Sequence, residues 1–229
     1  KKHFERPSIK KKIESFFSML LGFFMEYPPW KKADWVICVS EHTKGELESI
    51  YGKRKNIKVL NASTDLNKFK PRNKIYAQKK VKLDADKWYG LYVGRGGFWT
   101  KGLDRVINIS REIYKKDNNY RLIAIGADEE KVENLIKEKF VSWLPPKSRE
   151  ILPYYYNSSD IFFNLSRYEG GDPTLSTGEA MASGCLIICS EDARQEIIRN
   201  EENGMVIKNF DKATAEKVLK LIKDKKKKN

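Results

Sequence analysis

The sequence predicts an α/β fold built on a doubly wound parallel sheet, covered by helices on both faces. Short, continuous apolar runs rich in Val, Ile, Leu and Tyr recur along the second two-thirds of the chain. Segments with helical spacing of apolar residues fall between them, so buried strands and helices alternate as in βαβ units. No internal repeat is present, which sets aside solenoid and propeller architectures.

In chain order, the apolar, β-branched run 35–39 reads as a strand, 42–51 as a helix stopped by Gly52, and 57–60 as a further short strand. From 61 to 86 the chain is polar and basic, carries Pro71 and shows little periodicity. That is a linker signature, placing a domain boundary near 66–75. The expected organisation is a first piece at 1–66, a linker at 67–88, and a complete Rossmann-like domain at 89–229. Within the last, strands are expected at 90–93, 121–125, 140–143, 161–165, 186–189 and 205–207. Helices are expected at 103–116, 129–139, 148–157, 176–183, 193–200 and 212–224. Ligands of such sheets bind at the carboxyl ends of the strands, where strand order reverses. The residues to inspect are therefore 94–95, 126–127, 142–145, 166–169 and 190–191.

A formal net charge of +14 over 229 residues favours polyanions: nucleic acid, anionic headgroups or phosphorylated small molecules. Charged residues at 33% and hydrophobic residues at 40% are ordinary for a globular chain that buries a core. The lysine run 225–228 reads as a solvated tail. Cys38, Cys185 and Cys189 form no C-x-x-C pair and sit in apolar runs, as small buried hydrophobes of a reducing, cytoplasmic compartment. His3 and His42 lack ligand spacing, so no metal site is expected. No apolar run approaches the roughly 18 residues needed to span a bilayer. The run 16–25, between Lys10–Lys12 and Pro28-Pro29, suits either a helix lying in a membrane interface or a core helix. The chain starts at Lys1, and upstream sequence is expected.

Two clusters carry the chemistry. Gly94, Arg95, Gly96, Lys101 and Gly102 lie between a strand and a helix; the glycines permit close backbone approach, and the cations suit a diphosphate. Neither the P-loop nor the dinucleotide pattern is matched. The second cluster runs from Ser166 through Glu169, Gly170, Gly171, Asp172, Thr174, Leu175 and Ser176 to Glu179, and opens onto a helix. Thr174 or Ser176 can cap that helix, whose N-terminus favours an anion. Two carboxylates beside it can accept hydrogen bonds from sugar and ribose hydroxyls. Each cluster alone also fits a bland reading, a flexible basic loop and a helix-dipole partner respectively.

Taken together, these segments resemble the retaining glycosyltransferases of family 4, with the two-domain GT-B fold. The similarity runs through A-D-W-V-I-C-V-S at 33–40, D-L-N-K-F-K-P at 65–71, V-G-R with K-G at 93–95 and 101–102, N-S-S-D-I-F at 157–162, and E-A-M-A-S-G at 179–184. The resemblance implies that Arg95 and Lys101 hold the diphosphate of a UDP- or GDP-sugar and that Glu169 sits by the donor sugar. It implies that Glu179 binds the ribose, that Gly170 and Gly171 contact sugar or phosphate, and that Ser142, Trp143 and Leu144 line the base pocket. It requires no metal. Nine residues separate Glu169 from Glu179, two more than the family pattern, leaving Asp172 as an alternative for the first acidic role. The resemblance also makes 1–66 the end of an acceptor-side domain, so the chain is expected to bind donor but transfer little. The acceptor is expected to be a glycan or a lipid-linked sugar, with peripheral membrane contact through the basic N-terminal region.

Competing readings are another GT-B activity, glycogen-synthase-like or a sugar-nucleotide epimerase, and a basic nucleic-acid-binding module using Trp99, Trp143 and the tyrosines 154–156. Those aromatics fall at predicted strand ends and helix faces and no RNA- or DNA-binding signature is present, so no nucleic-acid partner is expected.

Overall fold

A computed structural model describes residues 9–95, 98–126, 138–199 and 201–228, which divide between Leu60 and Asn61 into two units. In the first, helix α1 (Ile9–Lys32) leads to strand β1 (Val36–Cys38), helix α2 (Glu41–Tyr51) and strand β2 (Ile57–Val59), with the two strands paired in parallel. Ser40 Oγ accepts from the Thr43 N–H at 3.0 Å to cap α2, and Gly52 ends it at φ 91°. Helix α1 does not stop at Pro28-Pro29 but continues to Lys32. Tertiary packing outweighs the proline penalty there: Trp30 is buried against Tyr51, and the Arg54 guanidinium lies 5.3 Å from its ring centroid. Earlier in α1, Phe17, Leu21, Phe24 and Met25 are exposed. No described helix is long and apolar enough to cross a membrane.

The second unit contains helix α3 (Lys74–Lys80), strand β3 (Trp88–Val93), helix α4 (Leu103–Lys116), strands β4 (Tyr120–Ile125) and β5 (Val141–Leu144), helix α5 (Leu152–Ser158), strand β6 (Ile161–Asn164), helix α6 (Leu175–Ala182), strands β7 (Leu186–Ser190) and β8 (Gly204–Ile207), and helix α7 (Lys212–Lys228). Its six strands pair in parallel in the order β5-β4-β3-β6-β7-β8. Strand order reverses between β3 and β6, which makes the crevice at their carboxyl ends the binding position of a doubly wound sheet.

The strands are buried on both faces, and their alternation builds two cores. Tyr120, Leu122 and Ala124 of β4 pack with Leu103, Val106, Ile109 and Ile113 of α4 and Val218 and Ile222 of α7. Ile123 and Ile125 point the other way, to Tyr155 and Tyr156 of α5 and Ala180 of α6. Burial of this kind stabilises by about 25 cal/mol per Å² of apolar surface, which is why these strands are continuous apolar runs.

Several expectations need revision. The second unit starts at Asn61, ahead of the boundary at 66, and the stretch 67–88 is packed rather than free. Phe69 and Ala77 are fully buried, Asn73 caps α3, and the Asn157 side chain donates to the Lys70 carbonyl and accepts from the Arg72 N–H. Its apolar anchors are single residues in a polar sequence, so they leave no periodic signal. Of the helix expected at 193–200, the described residues 193–199 hold instead the end of a 3₁₀ turn, Glu191–Ala193, and a turn at 196–197, because Arg194 adopts φ 48° and breaks the helix. The helix expected at 148–157 starts only at Leu152, with Pro153 in its first turn, and the strand expected at 140–143 is shifted by one residue. Most of the helix expected at 129–139 lies outside the described residues. The three cysteines are buried thiols outside any disulfide, and burial raises the Cys189 thiol to about 12.

Candidate functional site

A cavity of about 630 Å³ opens at the carboxyl ends of β3, β4 and β6, at the reversal of strand order. Arg95, Lys101, Lys147 and Arg149 supply positive charge to its wall, and Glu169 and Glu179 supply negative charge. Thr174, Leu175 and Ser176, at the start of α6, also line it.

Its first half is made by the approach of two loops. Gly102 caps α4 in the left-handed region, φ 69°, against the Leu165 carbonyl, where an added Cβ would stand 1.9 Å from the oxygen. Only glycine permits both the conformation and the approach. The approach brings Lys101 Nζ to 2.8 and 3.0 Å from the Glu169 carboxylate, which also accepts from Ser166 Oγ at 2.6 Å. The loops are tied again outside the cavity. Arg167 N–H donates to the Thr100 carbonyl at 3.0 Å, and its guanidinium forks onto Asp104 at 2.7 and 2.8 Å while lying 3.3 Å from the Trp99 ring centroid.

The second half is built on α6. Thr174 Oγ1 accepts from the Thr177 N–H, and Gln195 Oε1 accepts from the Thr174 N–H at 2.9 Å, so the helix start is held from two sides. The opening N–H groups of an α-helix have no partners within it, and here they belong to residues of the cavity wall. Glu179, buried in the second turn, accepts from Tyr156 Oη at 3.0 Å and from Arg149 Nη2 at 3.1 Å. Burial pushes its carboxyl above the usual range, against the opposing pull of these two donors.

Of the residues singled out in the sequence, Gly94, Arg95, Lys101, Glu169, Thr174, Leu175, Ser176 and Glu179 line this one cavity. Gly170, Gly171 and Asp172 do not. Asp172 turns inward: it is 4% exposed and accepts from the Ile197 N–H at 3.2 and 3.3 Å, and burial raises its carboxyl. The Gly171 carbonyl accepts from Gln195 Nε2 at 3.0 Å. Ser142, Trp143 and Leu144 also stand off the cavity, because β5 runs on through them. Trp143 packs against the α4 side of the core, Leu144 against the other, and Ser142 is exposed. Past β5 the cavity is met instead by Pro146, Lys147 and Arg149. Gly96 lies outside the described residues.

The sequence reading missed Arg149, Asn164 and Tyr92. Arg149 was absorbed into an expected helix. Asn164, within the strand expected at 161–165, donates to Thr177 Oγ1 at 3.0 Å. Tyr92 read as core. The tyrosines at 155 and 156 are buried and offer no base-stacking surface.

A family model described as glycosyl transferases group 1 matches residues 73–229, more than half of the chain. The chain belongs to this family. An uncharacterized glycosyltransferase of Methanocaldococcus jannaschii is 26% identical over 236 residues, covering 97% of this chain and 59% of that protein. Among solved structures, sucrose-phosphate synthase of Thermosynechococcus elongatus superposes with a TM-score of 0.74 at 23% identity, over 88% of this chain and 52% of the other. HepE of Anabaena, solved in complex with UDP and glucose, superposes with a TM-score of 0.70 at 18% identity, over 85% and 55%. The group 1 chain described here thus spans between half and three-fifths of the length of these relatives, and its sheet is that of the GT-B glycosyltransferases.

Proposed function

We propose that this chain carries the donor site of a retaining glycosyltransferase, which binds a UDP- or GDP-sugar and passes the sugar to a glycan or lipid-linked acceptor. The observation that carries the reading is one cavity at the strand-order reversal that holds two cations on a glycine-hinged loop, a helix N-terminus, one buried carboxylate and one half-buried carboxylate. Arg95, Lys101 and the start of α6 meet the diphosphate. Breaking the sugar–phosphate bond leaves an extra negative charge on it, and fixed donors aimed at that charge lower the barrier. Glu179 accepts from the ribose hydroxyls, with Tyr156 and Arg149 holding its carboxylate in place. Glu169, held by Lys101 and Ser166, faces the sugar. A relative bound to UDP and glucose supports the class of donor.

A thermal-shift series with UDP, GDP, ADP and their sugars tests this. One nucleotide is expected to stabilise the chain in proportion to RT ln(1 + [L]/Kd). No shift with any of them at millimolar concentration refutes the donor-site reading.

A further inference from the structure

Among the described residues, five side chains keep a buried polar atom without a hydrogen bond, and only one of these residues, Tyr92, lines the cavity. Tyr92 is the penultimate residue of β3 and 2% exposed, with its ring in the α4-side core. Its hydroxyl lies beside Gly94, at the root of the loop carrying Arg95 and Lys101; a Cβ added at Gly94 would stand 2.5 Å from the Tyr92 oxygen. Gly94, having no Cβ, thus leaves room beside the hydroxyl. A phenylalanine here would fill the core equally well, so packing does not explain an oxygen left buried and unpaired at a cost.

Burial first, and the charges of Glu169 and Asp104 second, keep the phenol protonated. The hydroxyl can therefore donate. Neither nearby carboxylate receives it: Glu169 is engaged by Lys101 and Ser166, and Asp104 by Arg167. The free carboxylate valences of the cavity suit hydroxyl groups, whereas an unpaired donor on the cavity wall that also carries Arg95 and Lys101 suits an acceptor-rich, anionic group.

We propose that Tyr92 is a ligand-binding residue, whose hydroxyl donates to an anionic phosphate oxygen of the bound nucleoside diphosphate. The inference rests on the donor-site reading above. Bound ligand satisfies a group that the free protein leaves unpaired, so the residue trades stability of the free state for affinity.

The test is Tyr92→Phe in the full chain, measured by calorimetric titration with whichever of UDP or GDP the wild-type chain binds, with the corresponding nucleotide sugar, and by thermal unfolding without ligand. The free variant is expected to melt at the wild-type temperature or above it. Its affinity is expected to fall about tenfold for both the diphosphate and the sugar nucleotide, as for one hydrogen bond to a charged group. Unchanged diphosphate affinity overturns the inference, as does a loss confined to the nucleotide sugar, or a lowered melting temperature in the free state. A wild-type chain that binds no diphosphate is a different failure: it removes the donor-site reading and this inference with it.

Discussion

Gly102→Ala separates the two constraints that shape the site's first half. The residue has φ 69° and ψ 24°, a conformation that costs an L-residue about 1–2 kcal/mol. Its new methyl would also meet the Leu165 carbonyl oxygen at 1.9 Å and carbon at 2.5 Å. These are backbone atoms at the end of β6, next to the fully buried Leu165 side chain, so no rotamer change relieves them. Overpacking of this kind costs about 1–3 kcal/mol, for a sum of roughly 2–5 kcal/mol. In a unit the size of the second one, each kcal/mol lowers the melting temperature by about 2–4 °C. A fall of roughly 4–20 °C is expected by calorimetry. Gly184→Ala is the control: φ is 86° but nothing lies within 4 Å of its Cβ, so only the conformational cost applies. If both variants lose the same stability, the close approach of the two loops is not what selects glycine at 102. A second readout follows, because the approach also sets the Lys101–Glu169 contact: Gly102→Ala is expected to weaken diphosphate binding where Gly184→Ala does not.

Other variants probe the remaining groups. Lys101→Met removes a cation that makes a charge-assisted bond, and diphosphate affinity is expected to fall roughly ten- to hundredfold by titration; an unchanged affinity would remove Lys101 from the site. Glu179→Gln is expected to keep or raise the neutral-pH melting temperature of the free chain, since burial disfavours the charged form, while abolishing most nucleotide-induced stabilisation. The pH dependence has a definite sign: the folded Glu179 carboxyl titrates above its ordinary 4.5, so its protonation favours folding below that value and the gain is lost as pH rises through the raised one. Binding runs oppositely, weakening as pH falls through the raised value, and Glu179→Gln should flatten that limb of the profile. Asn157→Ala removes buried bonds to the Lys70 and Pro153 carbonyls and from the Arg72 N–H, at an expected cost of about 2–3 kcal/mol in urea unfolding.

What was legible in the sequence is what the backbone dictates. The run 121–125 announces a strand buried on both faces, and the glycines around Lys101 announce a loop that permits close backbone approach. Glu179 was legible through its place in E-A-M-A-S-G at the start of an expected helix. Side-chain direction in irregular segments was not legible. Arg149 reaches the cavity from a stretch with helical periodicity whose helix begins only at Leu152, and Tyr92 is indistinguishable from a core aromatic until its hydroxyl is found unpaired. The segment 67–88 failed for a related reason: a lone Phe69 in a basic run carries as much packing as a periodic face, yet shows no period.

The stretched spacing between Glu169 and Glu179 has the same origin and a physical resolution. Longer by two residues, the turn could have carried its acid either into the cavity or away from it. Three contacts choose the second course. The Asp172 carboxylate is held by the Ile197 N–H, the Gly171 carbonyl by Gln195 Nε2, and the Thr174 N–H by Gln195 Oε1. The extra length is thereby taken up in a loop pinned to the segment after β7. Glu169 is left next to Ser166 at the end of β6, and Thr174 remains the cap of α6. Glu169 and Glu179 both line the cavity, because each is positioned by its own strand or helix end rather than by the turn between them.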